Sequence, residues 1–215
     1  MAVKLPNGGT FAIASAYGSN ITVTAITNAN PAVATSTAHG LANGDIVEVT
    51  SGWAKLNNRV VRVANITANT FELEGINTAS TSAYAAGSGT GTVRKATTFV
   101  QLSQVLNTAT SGGEQQFATF QFLEADQESQ IPTNKSAMSL TLTVADDPTL
   151  PGYIEAVKAN EDRLVRAVRF SLANGSFIYY NGFVSINETP STTQNEVMSV
   201  QATISVQGRV TRYAA

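Results

Sequence analysis

Apolar and polar residues alternate along the stretch from Val197 to Gly208. The apolar positions fall on one face and the polar positions on the other: Met198, Val200, Ala202, Ile204 and Val206 against Ser199, Gln201, Thr203, Ser205 and Gln207. A period of two predicts a strand that is buried on one side only. Its polar face carries hydroxyls and amides but no Lys or Glu, which an ordinary solvent face usually includes. We therefore expect this face to meet something other than bulk water.

A second strand with the same pattern is predicted at Ser136–Ala145. Its apolar positions are Met138, Leu140, Leu142 and Val144, and Ser139, Thr141 and Thr143 alternate with them. This polar face is also uncharged. The two strands together define a candidate surface, which consists of Ser139, Thr141, Thr143, Gln201, Thr203 and Ser205.

Three further β elements are predicted outside these strands. Asn174-Gly175 stands between two apolar runs and predicts a hairpin, because both residues tolerate positive φ. Strands are predicted at Thr10–Tyr17 and Thr97–Leu106. A short segment with Pro6 and a glycine pair, Met1–Gly9, is predicted to be an arm that leads into the first of them.

The best helical pattern in the chain is Thr149–Glu161. Pro151 suits the first turn, and Leu150, Ile154 and Val157 share one helical face. A sheet that is buried on one side needs a second layer. We expect this helix to cover the apolar side of the sheet.

Composition changes at Ser19 and changes back near Arg94. The segment is rich in Asn, Ala, Thr and Gly, and its five short apolar runs are separated by turn residues, which predicts a small sandwich or barrel. The Gly- and Ser-rich run Tyr84–Gly91 is predicted to be a flexible return linker. We therefore predict a discontinuous domain of residues 1–18 and 95–215, interrupted by a small all-β domain of residues 19–94.

The segment Thr108–Lys135 has no clean periodicity over much of its length, although Phe117–Leu123 can form a strand. It holds three aromatic residues within six positions and an acidic run after them; the candidate residues are Phe117, Phe120, Phe122, Glu124 and Asp126. The aromatic residues suit a buried core and equally suit anchors in a protein interface. Both interpretations stay open on sequence.

Charge and composition exclude several classes of function. The chain has 13 basic and 15 acidic residues, for a net charge of −2, so it lacks the basic excess of a tight DNA-binding protein. There is no cysteine, which excludes disulfides and thiolate metal sites. No segment resembles a signal peptide or approaches the roughly 20 apolar residues of a membrane span, so no membrane association is expected.

The candidates for catalytic chemistry are weak. His39 is the only histidine, and only Asp45 and Glu48 lie near it in sequence, so we expect a structural role in a turn. Asp146-Asp147 follows a strand and precedes Pro148. A cation site or acid–base role is possible there, but capping of the helix entry is the more common use of Asp.

Three other patterns lack the spacing that a site requires. They are the acidic run Glu124, Asp126 and Glu128, the glycines Gly87, Gly89 and Gly91, and the basic residues Arg163, Arg166 and Arg169. The acidic run has no calcium-loop spacing, and no helix follows the glycines. The arginines suit pairing with the acidic run across a subunit interface better than a phosphate site. We predict no catalytic, cofactor or metal site, and no enzyme.

The order of elements from Thr97 to Arg212 resembles a known family. A helix, a hairpin with N-G at its tip, F-V-S-I, a polar loop and a long Ser/Thr/Gln strand ending in G-R-V follow one another. This order resembles the C-terminal half of tail tube proteins from long-tailed, non-contractile phages. The run A-H-G-L-A-N-G-D-I-V-E-V within residues 19–94 resembles a small β module found in phage tail and fibre proteins.

The resemblance implies a mainly β fold, a tail-tube-type sandwich or barrel with one flanking helix plus the inserted β domain. It implies hexameric rings that join into one β-barrel and stack into a tube. The six polar residues of the candidate surface would line the channel, and the loop with Phe117 would reach the next ring. The implied partners are other copies of the chain, tape measure, tail terminator and distal tail proteins, and phage DNA passing without tight binding.

The resemblance also implies a location. The protein would be made in the host cytoplasm and become part of the virion tail, with residues 19–94 on the outside of the tube. A module there would clash with a contractile sheath, which favours the sheathless, siphophage type of tail.

A different class of function is kept as an alternative. The chain would then be a monomeric β-rich module that binds carbohydrate or a cell surface. It would need an exposed aromatic platform, and Trp53, the only tryptophan, is the candidate.

Overall fold

The computed structural model describes residues 7–215, so most of the predicted N-terminal arm (residues 1–6) lies outside the described residues. The fold is mainly β, with one helix in the described part, α1 (Pro151–Asp162). The strands are β1 (Thr10–Tyr17), β2 (Ile21–Val23), β3 (Ala25–Ile26), β4 (Ala32–Thr35), β5 (Ile46–Ser51), β6 (Arg59–Ala64), β7 (Thr70–Leu73), β8 (Gly91–Leu102), β9 (Val105–Ser111), β10 (Gln115–Phe120), β11 (Ser129–Lys135), β12 (Met138–Ala145), β13 (Val165–Ser171), β14 (Phe177–Ser191), β15 (Ser199–Val206) and β16 (Thr211–Tyr213).

Most strands belong to one continuous sheet. Its order is β3-β4-β7-β6-β5-β8-β1-β13-β14-β15-β12-β9, with β16 paired to β14 and β2 paired to β8. β10 and β11 form a separate two-stranded hairpin. The predicted strands at residues 10–17, 136–145 and 197–207 are therefore confirmed, with small shifts at their ends. The predicted strand at 97–106 is divided between the second half of β8 and the first two residues of β9, because the chain turns at residues 103–104.

The sheet curls around α1. β1 and β12 are separated in the sheet by β13, β14 and β15, yet both contribute to the same core. Phe11 and Ile13 of β1 belong to the same cluster as Leu140 and Leu142 of β12 and Tyr153 of the helix. The sheet is curled into a half-barrel, so its apolar face is concave. The expectation that α1 covers this face is confirmed.

The helix packs through the predicted face only in part. Leu150 and Val157 pack against the core as predicted. Ile154 is instead 54% exposed, and Ala156 and Ala159 are buried. These small residues allow the helix to approach the sheet closely. Gly152 shows how close this approach is, because a Cβ there would lie 2.2 Å from the carbonyl oxygen of Gln101.

A second core lies within residues 23–93. Its largest fully buried side chains include Phe71, Leu56, Leu73 and Ile76. The five predicted runs of this segment form strands, as the alternation indicated. Each core has its own aliphatic and aromatic residues, and a smaller cluster with Ala14, Val60 and Tyr213 lies between them.

The predicted flexible linker at Tyr84–Gly91 is buried at Tyr84 and Gly89, so the prediction was wrong at these two residues, whereas residues 85–88 are exposed. Tyr84 is buried, and the indole Nε1 of Trp53 donates to the carbonyl oxygen of Ala85 at 2.7 Å. A Cβ at Gly89 would lie 2.8 Å from the Trp53 ring. The small residues of this run serve close packing over the indole.

One strand connects the two cores. β8 is twelve residues long and pairs with β5 through its first part and with β1 through its second. The predicted boundary at residue 94 therefore falls inside a continuous strand.

The predicted hairpin at Asn174-Gly175 is confirmed, but its loop spans residues 172–176. Ser171 pairs with Phe177, and only Gly175 has positive φ, at 84°. The Asn174 side-chain oxygen accepts from the backbone N–H of Ser176 at 3.2 Å. Asn174 therefore stabilises the turn through its side chain.

Candidate functional site

The six residues of the candidate surface form three cross-strand pairs. Antiparallel pairing of β12 with β15 places Ser139 opposite Ser205, Thr141 opposite Thr203, and Thr143 opposite Gln201. The alternate positions of both strands, such as Leu142 and Ala202, are buried in the first core. Two strands with separately predicted polar faces thus share one face of one sheet.

The polar face extends over two more strands that sequence reasoning missed. β14 and β9 flank the pair, so the face gains Phe183, Ser185, Asn187, Asn107, Ala109 and Ser111. None of these twelve residues is ionisable. The Ser111 and Ser139 hydroxyl oxygens lie 2.9 Å apart, and the Ser185 hydroxyl donates to the carbonyl oxygen of Thr203 at 3.3 Å. The alternation of Ser185 and Asn187 was a signal for the β14 part.

This four-stranded region has two unpaired edges. β9 ends the sheet and, within residues 7–215, pairs only with β12; six of its seven residues are exposed. β14 pairs with β13 only as far as Phe183, so residues 184–191 have no strand on that side in the described chain. Unpaired edges present N–H and C=O groups that favour pairing with another chain.

The β10–β11 hairpin is exposed on nearly all sides. Phe117 is 56% exposed, Phe122 is 63% exposed and Phe120 is half-buried. The core interpretation of these aromatic residues is therefore wrong. Glu124 and Asp126 lie in the tip, residues 121–128, and are exposed. An isolated two-stranded hairpin is marginally stable in water, so this element is suited to packing against another molecule.

A buried carboxylate joins residues 19–94 to the rest of the chain. Glu48 is 6% exposed and accepts from Arg94 Nε at 2.8 Å and from Asn181 Nδ2 at 3.0 Å. Its partners come from β8 and β14. A buried carboxylate needs such partners to offset desolvation, and nothing in the local sequence predicted that Asn181 would be one.

Two buried tyrosine hydroxyls also bond to distant backbone groups, and that of Tyr213 joins residues 19–94 to the rest of the chain. The Tyr213 hydroxyl accepts from the backbone N–H of Arg62 at 2.7 Å and donates to the carbonyl oxygen of Glu74 at 3.2 Å. The Tyr17 hydroxyl accepts from the backbone N–H of Ala167 at 2.7 Å. Burial disfavours the phenolate and raises the pKa of both tyrosines to about 12.

The sequence profile of one known family matches residues 51–215 of this chain. That family is described as phage tail tube protein, TTP. The chain belongs to the phage tail tube protein family. It is therefore a structural component of the virion tail and not an enzyme, as the resemblance implied. A comparison with curated protein sequences found no match.

Several solved structures are similar to this tail tube protein. A chain from the virion of a native gene transfer agent particle is 13% identical with a TM-score of 0.43, over 54% of this chain and 89% of that chain. A chain from the tail of an empty gene transfer agent particle with C6 symmetry is 13% identical with a TM-score of 0.44, over 54% and 87%. A chain from the tube-terminating cap of the anti-feeding prophage is 23% identical with a TM-score of 0.36, over 50% and 79%.

His39 of the tail tube protein has the structural role predicted for it. Its Nδ1 accepts from the backbone N–H of Leu41 at 3.1 Å, which leaves Nε2 to donate to the carbonyl oxygen of Thr67 at 3.0 Å. The ring is buried and packs edge-on against Phe71. Both nitrogens are occupied, and in the part of the chain that the structure describes no group of three or more His, Asp or Glu is placed to hold a metal ion.

Asp147, the second residue of the acidic pair at the helix entry, also has a structural role. Asp147 Oδ1 accepts from the backbone N–H of Thr149 at 3.1 Å and from its hydroxyl at 2.6 Å. These bonds stabilise the carboxylate and lower the pKa of Asp147. The helix N-cap position itself is Leu150, without a side-chain cap, so Asp147 orders the turn that precedes it.

The arginine series does not form a stripe. Arg166 is buried and pairs within its own chain with Asp162 and with Glu155, at 3.5 Å for the latter. Arg169 stacks over Phe99 at 4.8 Å from the ring centroid. The hypothesis that these arginines pair across an interface with the acidic run is therefore wrong for Arg166.

The aromatic platform required by the alternative function is absent at Trp53. The indole is 3% exposed and packs against Tyr84. Family membership and this burial both argue against the carbohydrate-binding alternative. Within residues 7–215, no helix combines the length and apolar character needed to cross a bilayer.

Proposed function

We propose that copies of this tail tube protein join edge to edge into hexameric rings, which stack into a hollow tube that carries phage DNA to the host. The observation that carries this proposal is the β14–β15–β12–β9 region, which has two unpaired edges and one uncharged polar face. Pairing β9 of one copy with residues 184–191 of the next would satisfy both edges around a closed ring. Six copies per ring is the number that the family resemblance implies.

The dimensions of such a ring suit a DNA channel. Four strands from each of six copies make a barrel with a backbone diameter of roughly 50 Å, for a strand spacing of about 4.8 Å and a tilt of about 40°. Side chains extend about 5 Å from an inner sheet face, which leaves a channel of roughly 40 Å. This channel is wider than a DNA duplex.

The chemistry of the polar face supports passage without tight binding. Lys and Arg side chains on a channel wall would neutralise phosphates and release counterions, so every such contact would strengthen binding. The twelve residues of the face supply hydroxyls, amides, one alanine and one phenylalanine instead. DNA would pass along a hydrated surface that has no charged side chains.

Residues 19–94 are proposed to form a separate domain on the outside of the tube. Their own core supports this division. Tyr179, Asn181 and Phe183 lie on the same face of β14. Residues 19–94 cover Tyr179 and Asn181, whereas this face is exposed to solvent from Phe183 onward. Because the sheet curls around α1, these two parts of the face point in different directions. A module outside the tube leaves no room for a close-fitting sheath, so the tail would be of the sheathless type.

The hairpin is proposed to contact the neighbouring ring. Its exposed Phe117 and Phe122 are suited to burial in such a contact. The ends of the tube would meet tape measure, tail terminator and distal tail proteins, as the family resemblance implies.

The substitution Thr203→Lys tests the channel. It adds one cation per copy to the proposed wall, so a phage carrying it is expected to assemble tails but to eject its genome more slowly at low salt than at high salt. Electron microscopy would check assembly, and the rate of genome release would be measured at both salt concentrations. Thr22→Lys is the matched control, because Thr22 is exposed on β2 in the segment placed outside the tube. Ejection at the wild-type rate from normal Thr203→Lys particles would contradict a channel role for this face.

A further inference from the structure

A groove in the structure brings together basic residues from three parts of the chain. It has a volume of about 1020 Å³ and lies between the turn before β6, the base of the β10–β11 hairpin and the segment joining β15 to β16. Lys55 and Arg59 come from the first part, Lys135 from the second and Arg209 from the third. No acidic residue lines it.

These four basic residues are unusual in a chain with so few charges. Only 13% of the residues are charged, and 13 are basic. None of the four takes part in an ion pair among the described residues. Lys55, Lys135 and Arg209 are exposed, and Arg59 is held at the groove by a 2.9 Å bond from its Nε to the Thr211 hydroxyl. The groove is therefore an uncompensated positive surface.

The opposite charge is found at the hairpin tip, residues 121–128. Glu124, Asp126 and Glu128 are exposed there, with no basic residue in the tip and no ion pair within the described chain. Phe122 and Leu123 in the same tip are 63% and 106% exposed. The groove offers apolar surface to match, from Met138, Val206 and Val210 among others.

We propose that the basic groove of one copy binds the acidic hairpin tip of a second copy. This inference rests on the proposed ring-and-tube function and identifies the surface that receives the hairpin. A chain cannot fill its own groove, because the groove lies at the hairpin base. The six residues of β10 carry the tip roughly 20 Å away from it.

The placement of tip and groove at opposite ends of the hairpin determines the kind of assembly. The contact joins two different surfaces, so it is heterologous, and each copy offers both a free tip and a free groove. Heterologous contacts form closed rings or open-ended filaments, depending on the rotation between copies. Between the stacked rings of the proposed tube, they would extend the stack. Opposite charges on the two surfaces would also orient the rings head to tail as they meet.

Charge reversal on each side, and then on both, tests the proposal. The groove variant carries Lys55→Glu, Lys135→Glu and Arg209→Glu, and the tip variant carries Glu124→Lys, Asp126→Lys and Glu128→Lys. Each is expected to raise the protein concentration needed for tubes by about tenfold or more, because groove and tip then carry net charge of the same sign. The chain with all six substitutions has a net negative groove and a net positive tip, and it should recover tubes at close to the wild-type concentration. Glu161→Lys, an exposed reversal on α1, is the control and should assemble normally.

Sedimentation and electron microscopy would follow assembly, and circular dichroism would confirm that each variant is folded. A folded groove variant that assembles like wild type overturns the inference, whether or not it loses affinity for an added DNA oligonucleotide. A folded six-substitution chain that stays unassembled also overturns it. Failure of the wild type and the Glu161→Lys control to form tubes would instead count against the ring-and-tube function.

Discussion

Residues 19–94 and the region from β9 to β11 differ in how much of their side-chain surface is buried. In the first, β5, β6 and β7 each bury half or more of their residues, and a core with Phe71 and Trp53 lies within the segment. In the second, β9, β10 and β11 bury none of theirs, and large apolar side chains such as Phe117 and Ile131 are more than half exposed.

The contrast shows which part of the chain buries its apolar surface without a second molecule. Both regions are β-rich and low in charge. The first buries its large apolar side chains and pairs its buried carboxylate within one chain. The second exposes an edge strand and an isolated hairpin, which are features that other copies of the chain would cover.

The strongest way to separate the regions is to remove the hairpin aromatics. Phe117→Ser with Phe120→Ser should leave a folded monomer that no longer forms tubes, because the chain's own core does not use these side chains. Sedimentation would measure assembly, and far-ultraviolet circular dichroism would measure folding. Leu164→Ser removes a comparably exposed apolar side chain elsewhere and should still give tubes. Normal tubes from the double variant would mean that the hairpin does not join rings.

A core substitution in residues 19–94 should have the reverse effect. Phe71→Ala removes a fully buried ring and is expected to lower the free energy of unfolding by about 3–5 kcal/mol. Phe117→Ala should change it by less than about 0.5 kcal/mol. Urea unfolding of both variants and of the parent protein, at concentrations below those at which tubes form, would give the two values. If both variants lost the same free energy of unfolding, the two regions would not differ in their contribution to the folded chain.

The junction between residues 19–94 and the rest of the chain predicts a smaller effect that depends on pH. The Tyr213 hydroxyl has a pKa of about 12 in the folded protein against an ordinary value of 10.0. Since the folded state holds this proton more tightly, its contribution is complete below pH 10 and is lost as pH rises from 10 to 12. That contribution is about 2–3 kcal/mol.

Tyr213→Phe removes the titrating group and should flatten this part of the stability curve. The variant will be less stable at pH 8, because two hydrogen bonds of the hydroxyl are lost. Between pH 9 and pH 12 it should lose about 2–3 kcal/mol less than the parent protein. Unfolding curves across that range would show it, and parallel losses in both proteins would indicate that Tyr213 titrates normally.

The sequence allowed much of the local structure to be predicted. Alternation identified β12 and β15 together with their polar faces, Asn174-Gly175 identified the β13–β14 turn, and Pro151 identified the helix start. These signals act over a few residues, where the period of side-chain directions is set by the backbone alone. Six of the twelve proposed channel residues came from the same signal.

The errors share a different cause. Ile154 was placed inward because helical periodicity alone does not show that Tyr153, Ala156 and Ala159 face the sheet. Tyr84–Gly91 was predicted as a linker because its composition does not reveal that Trp53 lies beneath it. In each case the deciding partner is distant in sequence or on another element.

The sequence by itself therefore determined that this chain would be mainly β, with two strands whose polar faces carry no charge. Only the tertiary structure decided that those faces lie side by side, that β9 and β14 end in free edges, and that Lys55, Lys135 and Arg209 meet in one groove. Alternation follows from the geometry of a single strand. Pairing partners and grooves depend on which distant segments the closing of the core brings together.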